Sequence, residues 1–397
     1  MGGATENTLL TVAGLKASGA YDATVIAGPA NKEEGALLDE AASYGVEVQI
    51  VPSLQRDMHA IADLRALVEL TRLCAEGEYS IVHTHSSKAG VLGRLAGRLA
   101  GVPVVTHTFH GPPFGTDTPA LQKAVYVLAE RFAGRLSTGI LSVTHDLIRK
   151  MSAVGAAVPE KCAVARSGMD LDRFLHPEPG REELRARWGV EPGDVAMGTI
   201  GRVHTGKGQD VLVGLAPRLC EMIPALRMVI IGTGPLKEPL EQQVRAQGLG
   251  DRVLFVGGVP VEEMPETISA LDMLVHASQR EGLARVIVQS LAAGKPVISY
   301  DLDGSPEVIT DRVNGRLVPP DDLDALVDAI AELAGDADLR AAWGAMGPPA
   351  VDPPFRAEAM VRTIAAEYAK LLAQKGIAAP ENVTIPPLHT WASSRTG

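Results

Sequence analysis

Short apolar segments rich in β-branched residues alternate with amphipathic segments along most of the 397-residue chain. In the first half they predict strands at residues 23–28, 46–51, 80–85, 102–107, 139–144 and 162–166. In the second half they predict strands at residues 195–200, 226–231, 252–256, 273–277, 296–300 and 315–318. Periodic patterns predict helices between them, for example at residues 59–75, 88–100, 119–134, 236–247 and 323–334. Because such apolar strands need cover on both faces, we expect an α/β fold with parallel sheets.

The strand series restarts after a polar, proline-rich stretch, which indicates two doubly wound, Rossmann-like domains. We expect the first domain at residues 1–169, joined by a returning helix at 354–375. The second domain is expected at residues 170–353, and a loose tail at 376–397.

The start of the chain departs from this pattern. It opens on Gly2, Gly3 and a helical segment, with no strand before them. A glycine turn that leads into a helix normally follows a strand in such folds. Either the start is truncated or the first domain lacks its first strand, and we favour truncation.

The composition is that of a globular protein with 46% hydrophobic and 21% charged residues, and no apolar run is long enough to cross a bilayer. The three cysteines lie far apart, which disfavours a disulfide framework and fits the cytoplasm. A formal net charge of −11 argues against nucleic-acid binding. Residues 1–165 hold 14 Lys and Arg against 16 Asp and Glu, while 166–397 hold 23 against 32. The first half is therefore the better candidate for contact with an anionic membrane.

The segment GRVHTGKG at residues 201–208 differs by one residue from the P-loop pattern G-x-x-x-x-G-K-[ST]. Gly208 stands where the P-loop has the hydroxyl that binds Mg²⁺, so a triphosphatase is disfavoured. The segment follows a predicted strand and precedes a helix, where backbone N–H groups favour an anion. Together with Arg202 and Lys207, this predicts a metal-independent diphosphate clamp.

Two further segments repeat this arrangement of strand, turn and helix. Gly232 and Gly234 follow the strand at 226–231, but Lys237 replaces the third glycine of a dinucleotide fingerprint. In the segment 277–309, Glu281 lies in a loop and Gln289 falls eight residues later, about two turns into the predicted helix that follows. Gly282, Leu283 and Ala284 between them are expected to present free N–H groups at a helix start.

These motifs together resemble the retaining glycosyltransferases of family 4, and the resemblance covers nearly the whole chain. The family's G-R-x-x-x-x-K-G loop is matched by Gly201, Arg202, Lys207 and Gly208. Its G-x-G-P turn is matched by Gly232, Gly234 and Pro235, and its E-x7-E element by Glu281, with Gln289 in place of the second acid. The segment at residues 2–7 resembles the acceptor-side Gly-Gly loop, and HTFHG at 107–111 resembles the segment whose histidine, here His110, reaches the donor sugar.

The resemblance implies two domains that face each other across a cleft, the B-type glycosyltransferase fold. By this resemblance, Arg202 and Lys207 would clamp the donor diphosphate. Glu281 would contact the donor sugar, and Gln289 would hydrogen-bond the ribose. Gly201, Gly232, Gly234, Pro235, Gly282 and Leu283 would line the donor site, with Gly2 and Gly3 on the acceptor side. The resemblance further implies a cytoplasmic enzyme of bacterial surface-glycan synthesis, peripheral at the inner membrane through its first domain. It would transfer a sugar from a nucleoside-diphosphate sugar, UDP first, to a saccharide or lipid-linked acceptor without a metal or other cofactor.

Other interpretations stay open from the residues alone. His83, His85, His107 and His110, or the D-x-D at Asp301, are the candidates for a metal site, although no carboxylate or cysteine accompanies the histidines at ligand spacing. A nucleotide-sugar epimerase, a nicotinamide oxidoreductase and a degenerate sugar-nucleotide-binding protein are the alternative functions.

Overall fold

The computed structural model of the chain describes residues 3–29, 37–114, 118–177 and 179–391. Its strands in chain order are β1 (Val25–Ala27), β2 (Val48–Ile50), β3 (Ile81–His85), β4 (Val104–Phe109), β5 (Gly139–Ser142), β6 (Cys162–Val164), β7 (Val195–Ile200), β8 (Leu226–Ile231), β9 (Val253–Gly257), β10 (Met273–His276), β11 (Val297–Tyr300) and β12 (Gly315–Val318). Its helices are α1 (Gly3–Ala17), α2 (Leu37–Ser43), α3 (Ala60–Glu76), α4 (Ser87–Leu99), α5 (Ala120–Leu136), α6 (His145–Ala153), α7 (Asp172–Leu175), α8 (Arg181–Arg187), α9 (Gln209–Met222), α10 (Lys237–Ala246), α11 (Met264–Ser269), α12 (Arg285–Ala292), α13 (Leu323–Gly335), α14 (Ala337–Ala345), α15 (Gly347–Val351) and α16 (Ala357–Ala373).

Every strand predicted from the apolar pattern is present, and the prediction of an α/β fold with parallel sheets is confirmed. Strand β4 begins two residues later than the pattern suggested. Pro103 precedes it and has no N–H to donate to a ladder, so pairing starts at Val104.

The chain divides into two compact units, one of Met1–Met169 with Phe355–Gly397 and one of Asp170–Pro354. We call them unit 1 and unit 2. The second unit contains a sheet with strand order β12-β11-β10-β7-β8-β9, in which all neighbours are parallel.

Both faces of the unit 2 sheet are buried, as the continuous apolar strands predicted. Met228 and Ile230 of β8 pack into one hydrophobic cluster with helices α9 and α13. Val229 and Ile231, which point the other way, pack into a second cluster with Leu271. The sheet order also places β7 between β8 and β10, so the chain reverses its direction of travel across the sheet at β7.

Helix α13 shows how the local sequence specifies these elements. The Asp322 side chain caps it by accepting a hydrogen bond from the backbone N–H of Ala325 at 2.9 Å. Leu326, Ile330 and Leu333 recur at helical spacing and are fully buried.

Unit 1 contains two separate parallel sheets, one of β1 and β2 and one with order β3-β4-β5-β6. Within the described ranges no strand joins β1 to β3. A cavity of about 1270 Å³ lies there, lined by residues of both strands together with parts of α1 and α16. Helix α16 packs on α1, where Val361 and Ile364 join Leu9 and Leu10 in one buried cluster.

The prediction of a loose tail is wrong for residues 376–391. Trp391 is 2% exposed and its ring occupies the space beside Gly14, where an added Cβ would lie 2.8 Å from it. The indole N–H of Trp391 donates to the carbonyl of Pro386 at 2.8 Å. Ile385 is also buried, so this proline-rich segment packs on unit 1 through isolated apolar residues that form no periodic pattern.

Candidate active site

The loop of residues 201–208 connects the carboxyl end of β7 to α9, as the P-loop comparison predicted. Gly208 is the N-cap of α9, with φ of 86°. A Cβ at this position would lie 2.3 Å from the carbonyl oxygen of Ala277, at the end of β10. A serine or threonine therefore does not fit at position 208, because the backbone there is left-handed and because the added Cβ would clash with Ala277. The residue that makes this loop differ from a P-loop, Gly208, is thus required by the close packing at this edge of the sheet.

The turn after β8 lies directly against this loop. An added Cβ on Gly232 would come within 1.9 Å of the carbonyl oxygen of Gly201. Val203 donates its N–H to the carbonyl of Thr233 at 2.9 Å, which places the turn containing Gly234 beside the β7–α9 loop. The predicted glycines Gly201, Gly232 and Gly234 are therefore brought together.

Lys207 and Glu281, predicted from separate motifs, form an ion pair at the carboxyl ends of β7 and β10. The Ser278 hydroxyl lies 3.3 Å from both the Glu281 carboxylate and the Gly206 carbonyl, and can donate to either. The Asp303 carboxylate, in the loop after β11, accepts the backbone N–H of Glu281 at 2.6 Å. Three strand-end loops therefore hold Glu281 in place, and Asp303 acts here as a backbone acceptor.

The ion pair leaves Lys207 available for a ligand. The side chains of Lys207 and Glu281 are 32% and 28% exposed. Such partly solvated pairs contribute on the order of 1 kcal/mol or less. An anion that offers two or three phosphate oxygens can replace this partner at small cost, and the amino end of α9 adds a favourable dipole in the same loop.

The remaining residues of the predicted clamp lie at the surface of these turns. Arg202 is exposed in the β7–α9 loop, five residues before Lys207. Pro235 is exposed in the turn after β8, just before α10.

Helix α12 begins at Arg285, later than the motif suggested, because Ala284 keeps an extended backbone as its N-cap. Gln289 therefore lies about one turn into the helix, and the predicted position two turns in is corrected. Gly282 and Leu283 are buried in the loop that joins Glu281 to this helix.

Two buried polar side chains, His276 beside the ion pair and Gln209 two residues after Lys207, were not predicted from the sequence. The Nε2 atom of His276 and the Oε1 atom of Gln209 are buried without a hydrogen-bond partner among the described residues. The Nε2 atom of His276 lies 3.8 Å from the Glu281 carboxylate. Burial lowers the pKa of His276, with the nearby Lys207 ammonium acting in the same direction and Glu281 opposing it. The signal in the sequence was their position, because His276 is the last residue of β10 and Gln209 the first residue of α9.

In unit 1, the histidines at the ends of β3 and β4 form a paired cluster. A hydrogen bond of 2.8 Å joins His85 Nδ1 and His110 Nε2. His83 is hydrogen-bonded through its two ring nitrogens to the Tyr368 hydroxyl at 2.6 Å and the Thr108 hydroxyl at 2.7 Å. The rings of His83 and His85 lie 4.4 Å apart, so these alternate residues share one face of the strand as predicted.

Three imidazoles of this region have lowered pKa values. Burial, aided by the nearby His110, lowers the pKa of His83 to about 3. Burial and neighbouring imidazoles also hold the pKa of His85 well below its usual value, and burial together with the nearby Arg94 does the same for His107. Within the described part of the chain, no group of three or more His, Cys, Asp or Glu side chains has the geometry to hold a metal ion.

Gly3 is exposed at the first position of α1, and Gly2 lies outside the described residues. Neither the described glycine nor His110 belongs to the unit that contains the Lys207–Glu281 pair.

Comparison with known proteins identifies the class of chain that carries these sites. The family of glycosyl transferases group 1 matches residues 180–348, and the glycosyl transferase 4-like domain matches residues 2–168. A UDP-Gal:alpha-D-GlcNAc-diphosphoundecaprenol alpha-1,3-galactosyltransferase of Escherichia coli is 31% identical over 310 residues, covering 77% of this chain and 79% of that protein. The chain belongs to this glycosyltransferase family. It is therefore a glycosyltransferase, as its motifs predicted.

Two further similarities agree with this assignment. A GDP-mannose-dependent alpha-(1-6)-phosphatidylinositol monomannoside mannosyltransferase of Mycobacterium tuberculosis is 30% identical over 342 residues, covering 84% of this chain and 86% of that protein. The crystal structure of Anabaena HepE with UDP and glucose is similar with a TM-score of 0.78 at 21% identity, over 93% of this chain and 96% of that one. This likeness confirms the B-type glycosyltransferase fold.

Across the described residues, the structure has no helix that is both apolar enough and long enough to pass through a bilayer.

Proposed function

We propose that this glycosyltransferase moves a sugar from a nucleoside-diphosphate sugar to a saccharide or lipid-linked acceptor, with retention of anomeric configuration. The observation that carries the proposal is the Lys207–Glu281 pair, held where three strand-end loops of unit 2 converge. In open α/β sheets, ligands bind outside the carboxyl ends of the strands where the strand order reverses, and β7 and β10 flank that point.

The proposed role of this site is to stabilise the leaving group. As the bond between sugar and diphosphate breaks, negative charge grows on the phosphate oxygens. A fixed ammonium at Lys207, the guanidinium of Arg202 and the amino end of α9 would stabilise that charge without reorganising. Losing one such preorganised donor typically raises a barrier by about 3–4 kcal/mol.

Glu281 is proposed to orient the donor sugar through its hydroxyl groups, and Gln289 to hydrogen-bond the ribose. The Asp303 carboxylate and the Ser278 hydroxyl fix the Glu281 loop, so the carboxylate would keep its position when Lys207 turns to the diphosphate. No protein nucleophile is assigned: the leaving phosphate would accept the proton of the acceptor hydroxyl.

The first choice of donor base is uracil and the first choice of acceptor is lipid-linked. The 31% identical relative is named for UDP-galactose and a diphosphoundecaprenol-linked acceptor. The other is named for GDP-mannose and a phosphatidylinositol monomannoside acceptor, so it supports the lipid-linked acceptor and makes guanine the alternative base. We accordingly place the enzyme peripherally at the cytoplasmic face of a membrane, in surface-glycan synthesis, with unit 1 on the acceptor side.

A thermal-shift titration with UDP, GDP and their sugars tests the donor assignment. Ligand at about 100 times its Kd stabilises the folded state by about 2.7 kcal/mol, which is a readily measured rise in Tm. UDP and a UDP-sugar should stabilise the protein, and slow release of UDP from the sugar should distinguish an enzyme from a binding protein. Stabilisation by GDP alone would contradict the uracil assignment, and no stabilisation by any of them would contradict the site.

A further inference from the structure

Helix α5 buries an unusual set of side chains. Its buried positions are Glu130, Ala133 and Gly134. Glu130 pairs with Arg94 of α4 at 2.7 Å, and both side chains are almost completely buried. An added Cβ on Gly134 would lie 2.2 Å from the carbonyl oxygen of Ala156, so the helix is seated closely on the unit 1 core. The fully buried positions of α5 thus hold an ion pair and small residues, while Tyr126, Val127 and Leu136 are partly buried.

Four large apolar side chains of α5 are exposed. Leu121, Val125, Leu128 and Phe132 are 81%, 46%, 63% and 48% exposed. They recur at intervals of four, three and four residues, so they form one stripe, which we call the α5 stripe. A surface helix normally turns such a stripe to the core, and four apolar residues in a continuous row indicate a binding surface rather than scattered exposure.

The exposed charges of α5 have one sign. Arg131 and Arg135 lie beside the α5 stripe, Lys123 is exposed on the opposite side of the helix, and the helix's acid, Glu130, is buried against Arg94. The exposed surface of this helix is therefore cationic in a protein with a formal net charge of −11. Apolar side chains with flanking Arg on a single helix match the headgroup region of an anionic bilayer.

Helix α3 also exposes apolar residues, at Ile61, Leu64 and Val68. Its charged side chains have both signs, since Glu69 and Glu76 accompany Arg65 and Arg72 (and Asp63 adds a further acid). An anionic surface would therefore attract α5 more strongly than α3.

We propose that α5 is the membrane-binding element of this enzyme, lying in the interface of an anionic bilayer with the α5 stripe inserted among the headgroups. The inference deepens the peripheral membrane association proposed above and rests on it, but it does not depend on the identity of the donor.

Vesicle flotation of the full chain without nucleotide tests the proposal. The parent protein should bind vesicles of phosphatidylcholine mixed with phosphatidylglycerol more tightly than phosphatidylcholine alone, and less tightly as NaCl is added. Replacing Leu121 and Leu128 by Ser should lower the vesicle affinity at least tenfold. Replacing Arg131 and Arg135 by Gln should lower it about fivefold for each charge removed.

The matched control replaces Met222 and Val261 of unit 2 by Ser, because these side chains are 49% and 50% exposed. That variant should bind vesicles like the parent. Equal vesicle binding by the α5 variants, or no preference for anionic lipid in the parent, would overturn the proposal. A concentration-dependent dimer that the Leu121 and Leu128 changes abolish, without vesicle binding, would also overturn it in favour of a contact between two copies. The UDP-induced rise in Tm should be unchanged in these variants, so a failure of the donor assignment would be recognised separately.

Discussion

Replacing Lys207 by Ala removes the cation on which the proposed chemistry depends. In the folded protein its partner is Glu281, and both side chains are about one-third exposed. Loss of the pair should therefore lower the free energy of unfolding by about 1 kcal/mol or less. Loss of one preorganised donor to a developing phosphate charge should raise the barrier by about 3–4 kcal/mol, which lowers kcat by about 10²- to 10³-fold.

Helix α10 supplies a matched control for this variant. Lys237 pairs with Glu241 at 2.6 Å, and these side chains are 31% and 25% exposed. Lys237→Ala therefore removes an ion pair of similar solvation in the same unit, one that is local to its own helix.

The assay is release of UDP from a UDP-sugar at saturating donor, with Tm measured in parallel. Lys207→Ala should lose turnover with little change in Tm, while Lys237→Ala should keep most of its turnover. A Lys207→Ala enzyme within about threefold of the parent kcat, or an equal loss in both variants, would refute the clamp.

Four further predictions follow from the same structure. Gly208→Ser, which restores the P-loop pattern, should destabilise the protein in urea unfolding by about 1–3 kcal/mol more than the control Gly206→Ser. Gly206 has a similar φ of 81°, but no atom lies within 4 Å of a Cβ added there. A stable Gly208→Ser protein with Mg²⁺-dependent triphosphatase activity would contradict this. The pKa of His83 is lowered by folding to about 3, so the unfolded chain binds a proton below pH 6.5 that the folded protein does not, and the free energy of unfolding should fall as the pH is lowered from 6.5 towards 3. His83→Asn should flatten that fall, and an unchanged slope would disprove the contribution. Trp391→Ala should lower the free energy of unfolding by about 3–5 kcal/mol, whereas a truly loose tail would give no change. Transfer should continue in excess EDTA, and its loss with recovery on adding Mn²⁺ would favour a metal site.

The strands could be predicted because each depends on its own residues. The six residues of β8 are almost all apolar and are buried on both faces, so their local pattern carried the whole prediction. The glycines Gly201, Gly232 and Gly234 of the proposed donor loops could likewise be predicted, since each loop follows such a strand. The contact between Gly208 and Ala277 could not be predicted, because it depends on β7 and β10 being neighbours in the sheet.

Two other features escaped prediction for the same physical reason. Trp391 is buried by α1, more than 370 residues earlier in the chain, and nothing in the surrounding sequence indicates that distant surface. The buried Nε2 atom of His276 acquires its significance from Lys207 and Glu281, which approach it only in the folded sheet. Local pattern therefore gave the elements and the candidate residues, while packing between distant segments decided how they meet.

A crystal structure of the protein with UDP bound would show whether Lys207 binds the diphosphate. We expect the Lys207 ammonium to leave Glu281 and to lie within hydrogen-bonding distance of the β-phosphate, with Arg202 on the same diphosphate. A nucleotide bound elsewhere, with Lys207 still paired to Glu281, would contradict it.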